Sequence, residues 1–138
     1  MAPQAAGSIL ALDVGDRRIG LALAHPVARL ASPLITLDNS SDVWERLLQV
    51  IQQQDVTQLV VGLPRNLQGD DTAQTKRVRQ FVEELQAHIQ LPVVLQDEAL
   101  TSRKAEQELA ARGKAHTKSD IDALAATYIL EDYLRILL

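Results

Sequence analysis

Two short apolar runs open the chain, Ile9 to Val14 and Ile19 to Ala24, parted by the polar stretch from Gly15 to Arg18. A connection that short favours an antiparallel hairpin. After Pro26 a weaker stretch, Ala28 to Leu37, is interrupted by Pro33, which cannot donate a ladder bond and therefore suits an edge strand. The period then changes. Val43, Trp44, Leu47, Leu48 and Ile51 fall on one helical face, with Ser40 or Ser41 available as the cap. Leu59 to Val61 predicts a strand ended by Gly62, and from Thr72 onward Val78, Phe81, Val82, Leu85 and Ile89 recur at steps of an amphipathic helix. Pro92 to Gln96 predicts another strand. Ser102 to Arg112 reads as a helix stopped at Gly113, and Ser119 starts a last helix with Ile121, Leu124, Ala125, Tyr128 and Ile129 on one side.

Strands separated by helices run parallel, whereas the opening hairpin does not. The order therefore predicts an α/β fold with a mixed five-stranded sheet, three antiparallel strands followed by two parallel ones, and helices on both faces. At 138 residues the chain has the size of one domain. That domain is expected over 9–138, behind a disordered leader over 1–8 that lacks the basic and apolar segments of a secretory signal. No apolar run approaches the length of a membrane span, so a cytoplasmic location is expected.

Composition narrows the chemistry. Without cysteine, any bound metal needs oxygen or histidine ligands. The net charge of -4 disfavours a phosphate-binding surface overall, but the stretch from Thr101 to Ser119 carries +3, from Arg103, Lys104, Arg112, Lys114 and Lys118 against Glu106 and Glu108. The basic charge is local.

Acidic residues fall at telling places. Asp13 ends an otherwise apolar strand, where a carboxylate is costly unless paired; it can also simply stabilise the turn toward Arg17 and Arg18. Asp97 and Glu98 follow the last strand, on the rim where open α/β sheets place ligands, although two loop acids can be plain solvation. Asp122 stands three residues after Ser119, which makes a capping box a complete alternative for it, and Asp120 can serve the helix dipole. Taken together, three acids from separate elements can converge on one point. Hard oxygen ligands of that kind suit Mg²⁺ or Mn²⁺ and phosphodiester hydrolysis by activated water.

Four ordered motifs carry a resemblance over Ile9 to Leu134: Asp13-Val14-Gly15-Asp16-Arg17-Arg18-Ile19-Gly20; Val60-Val61-Gly62-Leu63-Pro64 with Asn66 and Gly69; Asp97-Glu98 with Leu100-Thr101; and Ile121-Asp122 with Ala125-Ala126 and Ile129-Leu130. They resemble the YqgF family of Holliday junction resolvases and pre-16S rRNA nucleases. The resemblance implies a ribonuclease H-like fold and a two-metal site in which Asp13, Glu98 and Asp122 are the catalytic, Mg²⁺- or Mn²⁺-binding acids, with Asp97 as a reserve ligand. It also implies a hydrolase acting on the 5′ end of the small-subunit rRNA precursor, in ribosome biogenesis, or on branched DNA. Two positions depart from the family pattern. Ala99 replaces an Arg, which removes a phosphate contact, and His25 stands where an acid is common.

Other residues admit two readings. Arg17 and Arg18 either grip phosphate or neutralise Asp13 and Asp16. The loop from Pro64 to Asp71, with Arg65 and Asn66, either covers the substrate backbone or only joins strand to helix. Lys114, His116 and Lys118 suit contact with a nucleic-acid backbone better than a zinc site, and Thr101 suits a cap that orients Glu98. Tyr133 and the apolar tail Leu134, Ile136, Leu137 and Leu138 either complete the core or meet a second subunit in a homodimer. Two other functions compete. An actin-like kinase or ATPase shares the opening Asp-x-Gly but needs two lobes, and a non-catalytic regulatory module fits Ala99 and the negative charge but not three retained acids.

Overall fold

A computed structural model describes residues 7–25, 27–98 and 117–137. The hairpin is present as β1 (Ser8–Val14) and β2 (Arg18–Ala24), followed by β3 (Ala31–Asp38), α1 (Val43–Gln53), β4 (Val56–Pro64), α2 (Ala73–His88), β5 (Val93–Glu98) and the final helix α3 (Lys118–Leu137). The sheet order is β3-β2-β1-β4-β5. Its first pairs, β1 with β2 and β2 with β3, are antiparallel, and β1 with β4 and β4 with β5 are parallel, as expected. β3 lies at the edge, and its Pro33 sits beside a register shift opposite Leu21 and Ala22, where the missing N–H costs no regular ladder bond. Gly7 and Ser8 are both buried, and the Ser8 N–H donates to the Asp55 carbonyl at 2.9 Å.

β1 is apolar throughout because both of its faces are covered. Leu10, Leu12 and Val14 face the cluster under α1 and α2, with Leu47, Phe81 and Leu85. Ile9 and Ala11 face the other cluster, where α3 contributes Ala126, Ile129, Leu130, Tyr133 and Leu134. Helices therefore cover both faces. Across the first face Trp44 stacks on Phe81 with ring centroids 5.0 Å apart and on His88 at 4.6 Å, which locks α1 to α2.

The α3 face of the sheet is built from small residues so that the helix can lie close. A Cβ on Gly20 would come within 2.0 Å of the Asp122 carbonyl oxygen, and one on Gly62 within 2.3 Å of Ile129 Cδ1. This close seating broadens the buried side of α3 beyond the stripe read from its large residues. Ala123, Ala126, Thr127, Leu130, Tyr133 and Leu134 are buried, whereas Ile121, Leu124 and Tyr128 are only partly so. Tyr133 and Leu134 complete the core, while Ile136 and Leu137 remain exposed. Leu138 lies outside the described residues, as does the helix expected over Ser102 to Arg112.

One cap differs from expectation. α1 begins after Asp42 rather than after either serine, and Ser40 instead donates to the Asp42 carboxylate. In α2, Thr72 and Thr75 form a reciprocal capping box, and the Thr75 hydroxyl also donates to the Pro64 carbonyl, tying the helix to the end of β4. Among the described residues no helix is long and apolar enough to cross a membrane.

Candidate active site

Alternation along the strands decides which acids meet. Asp13 shares the α3 face with Ile9 and Ala11. In β5, Val94 packs on that face and Val93 on the opposite one, so Glu98 lies on the side of Asp13 and Asp97 points to the other. Both acids belong to β5 itself, paired in register with Leu63 and Pro64, and do not follow it as a loop. Asp97 is mostly exposed and accepts from Arg65 Nε at 3.0 Å. Asp97, expected as a reserve ligand, thus lies on the face opposite Asp13 and is paired with Arg65.

Asp122 reaches Asp13 through the close seating of α3. Asp13 is paired with Gly20 in the hairpin register, and the start of α3 rests on Gly20. Burial, and secondarily the Asp122 carboxylate, push the Asp13 carboxyl up to about 7. Asp122 is in turn held by Arg18, Nε to Oδ2 at 2.6 Å. It does not cap the helix. The capping box is formed two residues earlier, where Asp120 accepts from the Thr117 N–H at 3.0 Å and the Thr117 hydroxyl accepts from the Asp120 N–H at 3.1 Å.

The turn joining Asp13 to Arg18 is clamped from several sides. Gly15 N–H donates to the Arg18 carbonyl at 2.9 Å, Asn39 Nδ2 to the Gly15 carbonyl at 2.9 Å and Gln74 Nε2 to the Val14 carbonyl at 3.2 Å. Arg77 pairs with Asp16 at 3.1 Å. Arg18 thus neutralises Asp122, not Asp13 or Asp16. Asn39 and Gln74 escaped the sequence reading because single bonds to a distant turn leave no local pattern.

A cleft of about 350 Å³, lined by Gly15, Asp16, Arg17, Arg18, Lys118 and Asp122, opens beside these acids. Arg17 and Lys118 are exposed at its wall. A groove of about 370 Å³ at the far end of α3, between Arg29, Leu30, Ala31, Glu131, Leu134 and Arg135, contains none of the expected site residues. Two residues of the strand-to-helix loop serve the loop itself. Asn66 Oδ1 accepts from Gln68 and Asp70 N–H at 3.1 and 2.8 Å, and Arg65 pairs with Asp71 at 2.6 Å as well as with Asp97. Ala99, Thr101, Lys114 and His116 lie outside the described residues; His25 is exposed, with Nδ1 3.3 Å from the Ser8 hydroxyl.

The donor set fits a hard divalent cation in part. Asp13 and Asp122 supply adjacent carboxylates with one guanidinium between them and solvent, leaving charge for a cation to neutralise. Among the described residues, however, no three His, Cys, Asp or Glu side chains form one metal-holding group, so Glu98 shares the face without being gathered with the other two.

Comparison with known proteins identifies the family and the fold. Residues 7–136 match the family RuvX: Holliday junction resolvase. A Roseiflexus protein bearing the name "Putative pre-16S rRNA nuclease" is 43% identical over 133 residues, spanning 93% of this chain and 94% of its own. A Chloroflexus aurantiacus protein of the same name is 41% identical over 130 residues, spanning 91% of this chain and 85% of its own. Among solved structures, Thermus thermophilus RuvC in complex with a Holliday junction substrate superposes with a TM-score of 0.55 at 17% identity, covering 94% of this chain and 95% of that one. That likeness establishes the ribonuclease H-like fold.

Proposed function

Because the chain belongs to the RuvX Holliday junction resolvase family, we propose that it is a nuclease hydrolysing phosphodiester bonds in structured nucleic acid. The observation that carries the reading is the meeting of Asp13 and Asp122 beside a cleft walled by Arg17, Arg18 and Lys118. Carboxylates alone repel phosphate, and the adjoining cations alone bind it without cleaving it. Their juxtaposition suits a reaction in which both are needed.

Asp13, Glu98 and Asp122 are the residues that would hold Mg²⁺ or Mn²⁺. When bound, such ions activate water and stabilise the leaving oxygen. Arg17 and Lys118 attract the nucleic-acid backbone from the cleft wall, in a sequence-independent and salt-sensitive manner. Lys114, close to Lys118 in sequence, extends the same basic stretch. The clamps from Asn39 and Gln74 hold the turn so that Asp13 and Arg18 keep their relative places.

The relatives' names favour pre-16S rRNA as substrate, and cleavage toward its 5′ end, in ribosome biogenesis in the cytoplasm, is the role proposed for this chain. The family description favours branched DNA as the second reading. For a homodimer, Ile136 and Leu137 are the apolar residues that α3 leaves exposed. The test is cleavage of matched structured RNA and four-way DNA junctions with Mg²⁺, Mn²⁺ or chelator, with Asp13→Asn purified in parallel. Metal-dependent cleavage that falls by orders of magnitude in Asp13→Asn is expected. Equal activity in both proteins, each verified as folded, would refute the assignment.

A further inference from the structure

We infer that Arg18 is an exchangeable internal cation: it neutralises Asp122 while the carboxylates lack a metal, and turns to a substrate phosphate when a divalent ion takes its place. The inference rests on the metal-nuclease reading of the same site.

Four observations support it. The pair is short, 2.6 Å, but Arg18 keeps 31% of its side-chain exposure and Asp122 19%. Partly exposed pairs of this kind are weak enough to exchange. Second, among the described residues the backbone on both sides of the pair is held by other contacts. The start of α3 is fixed by its seat on Gly20, by the Thr117–Asp120 box and by the Thr36 hydroxyl donating to the Ser119 carbonyl at 2.8 Å. The Arg18 backbone is held by Gly15 and by its register opposite Asp38. Releasing the guanidinium therefore unseats neither Asp122 nor the turn.

Third, charge favours the exchange. With both carboxylates ionised, as cation binding requires, Asp13 and Asp122 need two positive charges, and Arg18, paired with Asp122, supplies one. A divalent ion satisfies both and leaves Arg18 in an environment with no further need of it. Fourth, Arg18 already lines the cleft shared with Arg17 and Lys118. A rotamer change is enough to add it to their phosphate-attracting wall, where a guanidinium's planar fork matches a phosphate's oxygens. Metal loading would then strengthen nucleic-acid binding through Arg18 in addition to the charge of the metal itself.

Two measurements test this. The first is calorimetric titration of Mn²⁺ into the parent, Arg18→Gln and Arg18→Lys, with no substrate present. Removing the competing cation should tighten Mn²⁺ binding by roughly tenfold in Arg18→Gln, with Arg18→Lys between the two. Affinity in Arg18→Gln equal to or weaker than in the parent overturns the exchange while leaving the metal site standing. If no variant binds Mn²⁺, the metal reading fails and the exchange with it. The second is the salt dependence of binding to a labelled RNA duplex. In chelator the slopes of parent and Arg18→Gln should coincide, because Arg18 is engaged by Asp122. In Ca²⁺ the parent should be steeper by about one unit, the signature of one added phosphate contact. A difference between the two proteins that is the same with and without Ca²⁺, zero included, overturns the proposal, and the uncharged Arg18→Met serves the same comparison where Arg18→Gln is too unstable.

Discussion

Replacing Asp13 by Asn should stabilise the metal-free protein, and by an amount that depends on pH. The carboxyl is pushed from 3.8 to about 7, first by burial and then by Asp122. A group whose folded value is raised binds its proton more tightly folded than unfolded. Its contribution to stability is therefore fully present below about 3.8 and is lost as pH rises through about 7. At about 1.4 kcal/mol for each tenfold change, the upper bound is about 4 kcal/mol. Asp13 retains some solvent contact at the strand end, so an effect of about 2 to 4 kcal/mol is the better expectation. The amide keeps the side chain's shape and carries no charge, so it escapes the loss.

The assay is urea unfolding of parent and Asp13→Asn in chelator across that range. The two should be nearly equally stable at the acid end. The variant's advantage should grow with pH and level off above about 7. Added Mn²⁺ at neutral pH should restore much of the parent's deficit and do little for the variant, because only the parent offers the charge the ion needs. A stability difference that is flat with pH, or that favours the parent at neutral pH without metal, would refute the claim that Asp13 sits in a charge-deficient pocket.

The helix cap gives a second expectation. Thr117→Ala and Asp120→Ala should each cost about 0.5 to 2 kcal/mol and spare cleavage, while Ser119→Ala should lie within about 0.5 kcal/mol of the parent; thermal melts that rank Ser119→Ala as the damaging change would return the cap to Ser119 and Asp122. Gly20→Ala should cost about 1 to 3 kcal/mol, because its Cβ would run into the Asp122 backbone, and it should also weaken Mn²⁺ binding by displacing Asp122. Gly62→Ala meets the Ile129 side chain, not backbone, and should cost less and leave Mn²⁺ affinity intact, a contrast that melting and calorimetry of the two variants can check.

The topology was legible because it depends on local facts: apolar runs of strand length, a connection too short for anything but a hairpin, and helical periods between the later strands. Which of two neighbouring acids faces the site was not, because it depends on parity. Asp97 and Glu98 have the same chemistry one residue apart, and only the pairing of β5 through Glu98, with Val94 toward α3, separates them. The intraloop bonds of Arg65 and Asn66 were hidden for a related reason. Their chemistry suits phosphate, and the same groups also bond the loop's own carbonyls, N–H groups and acids. The breadth of α3's buried side was hidden by the small size of Ala123 and Ala126, whose burial depends on how near Gly20 and Gly62 let the helix come.

The cap shows most clearly how one turn of sequence can support two assignments. Thr117-x-x-Asp120 and Ser119-x-x-Asp122 both satisfy the same pattern, two residues apart, and the pattern alone cannot choose. The choice is made by where the helix begins. With Lys118 as its first residue, Thr117 and Asp120 exchange the capping bonds at the exposed end. Asp122, two residues on, is turned to the sheet over Gly20, beside Asp13 and within reach of Arg18. Had the helix begun two residues later, Asp122 would have been consumed by its own backbone and the cleft would have kept its cations with one acid fewer. The position of the helix start thus frees Asp122 for chemistry by giving the structural work to Asp120.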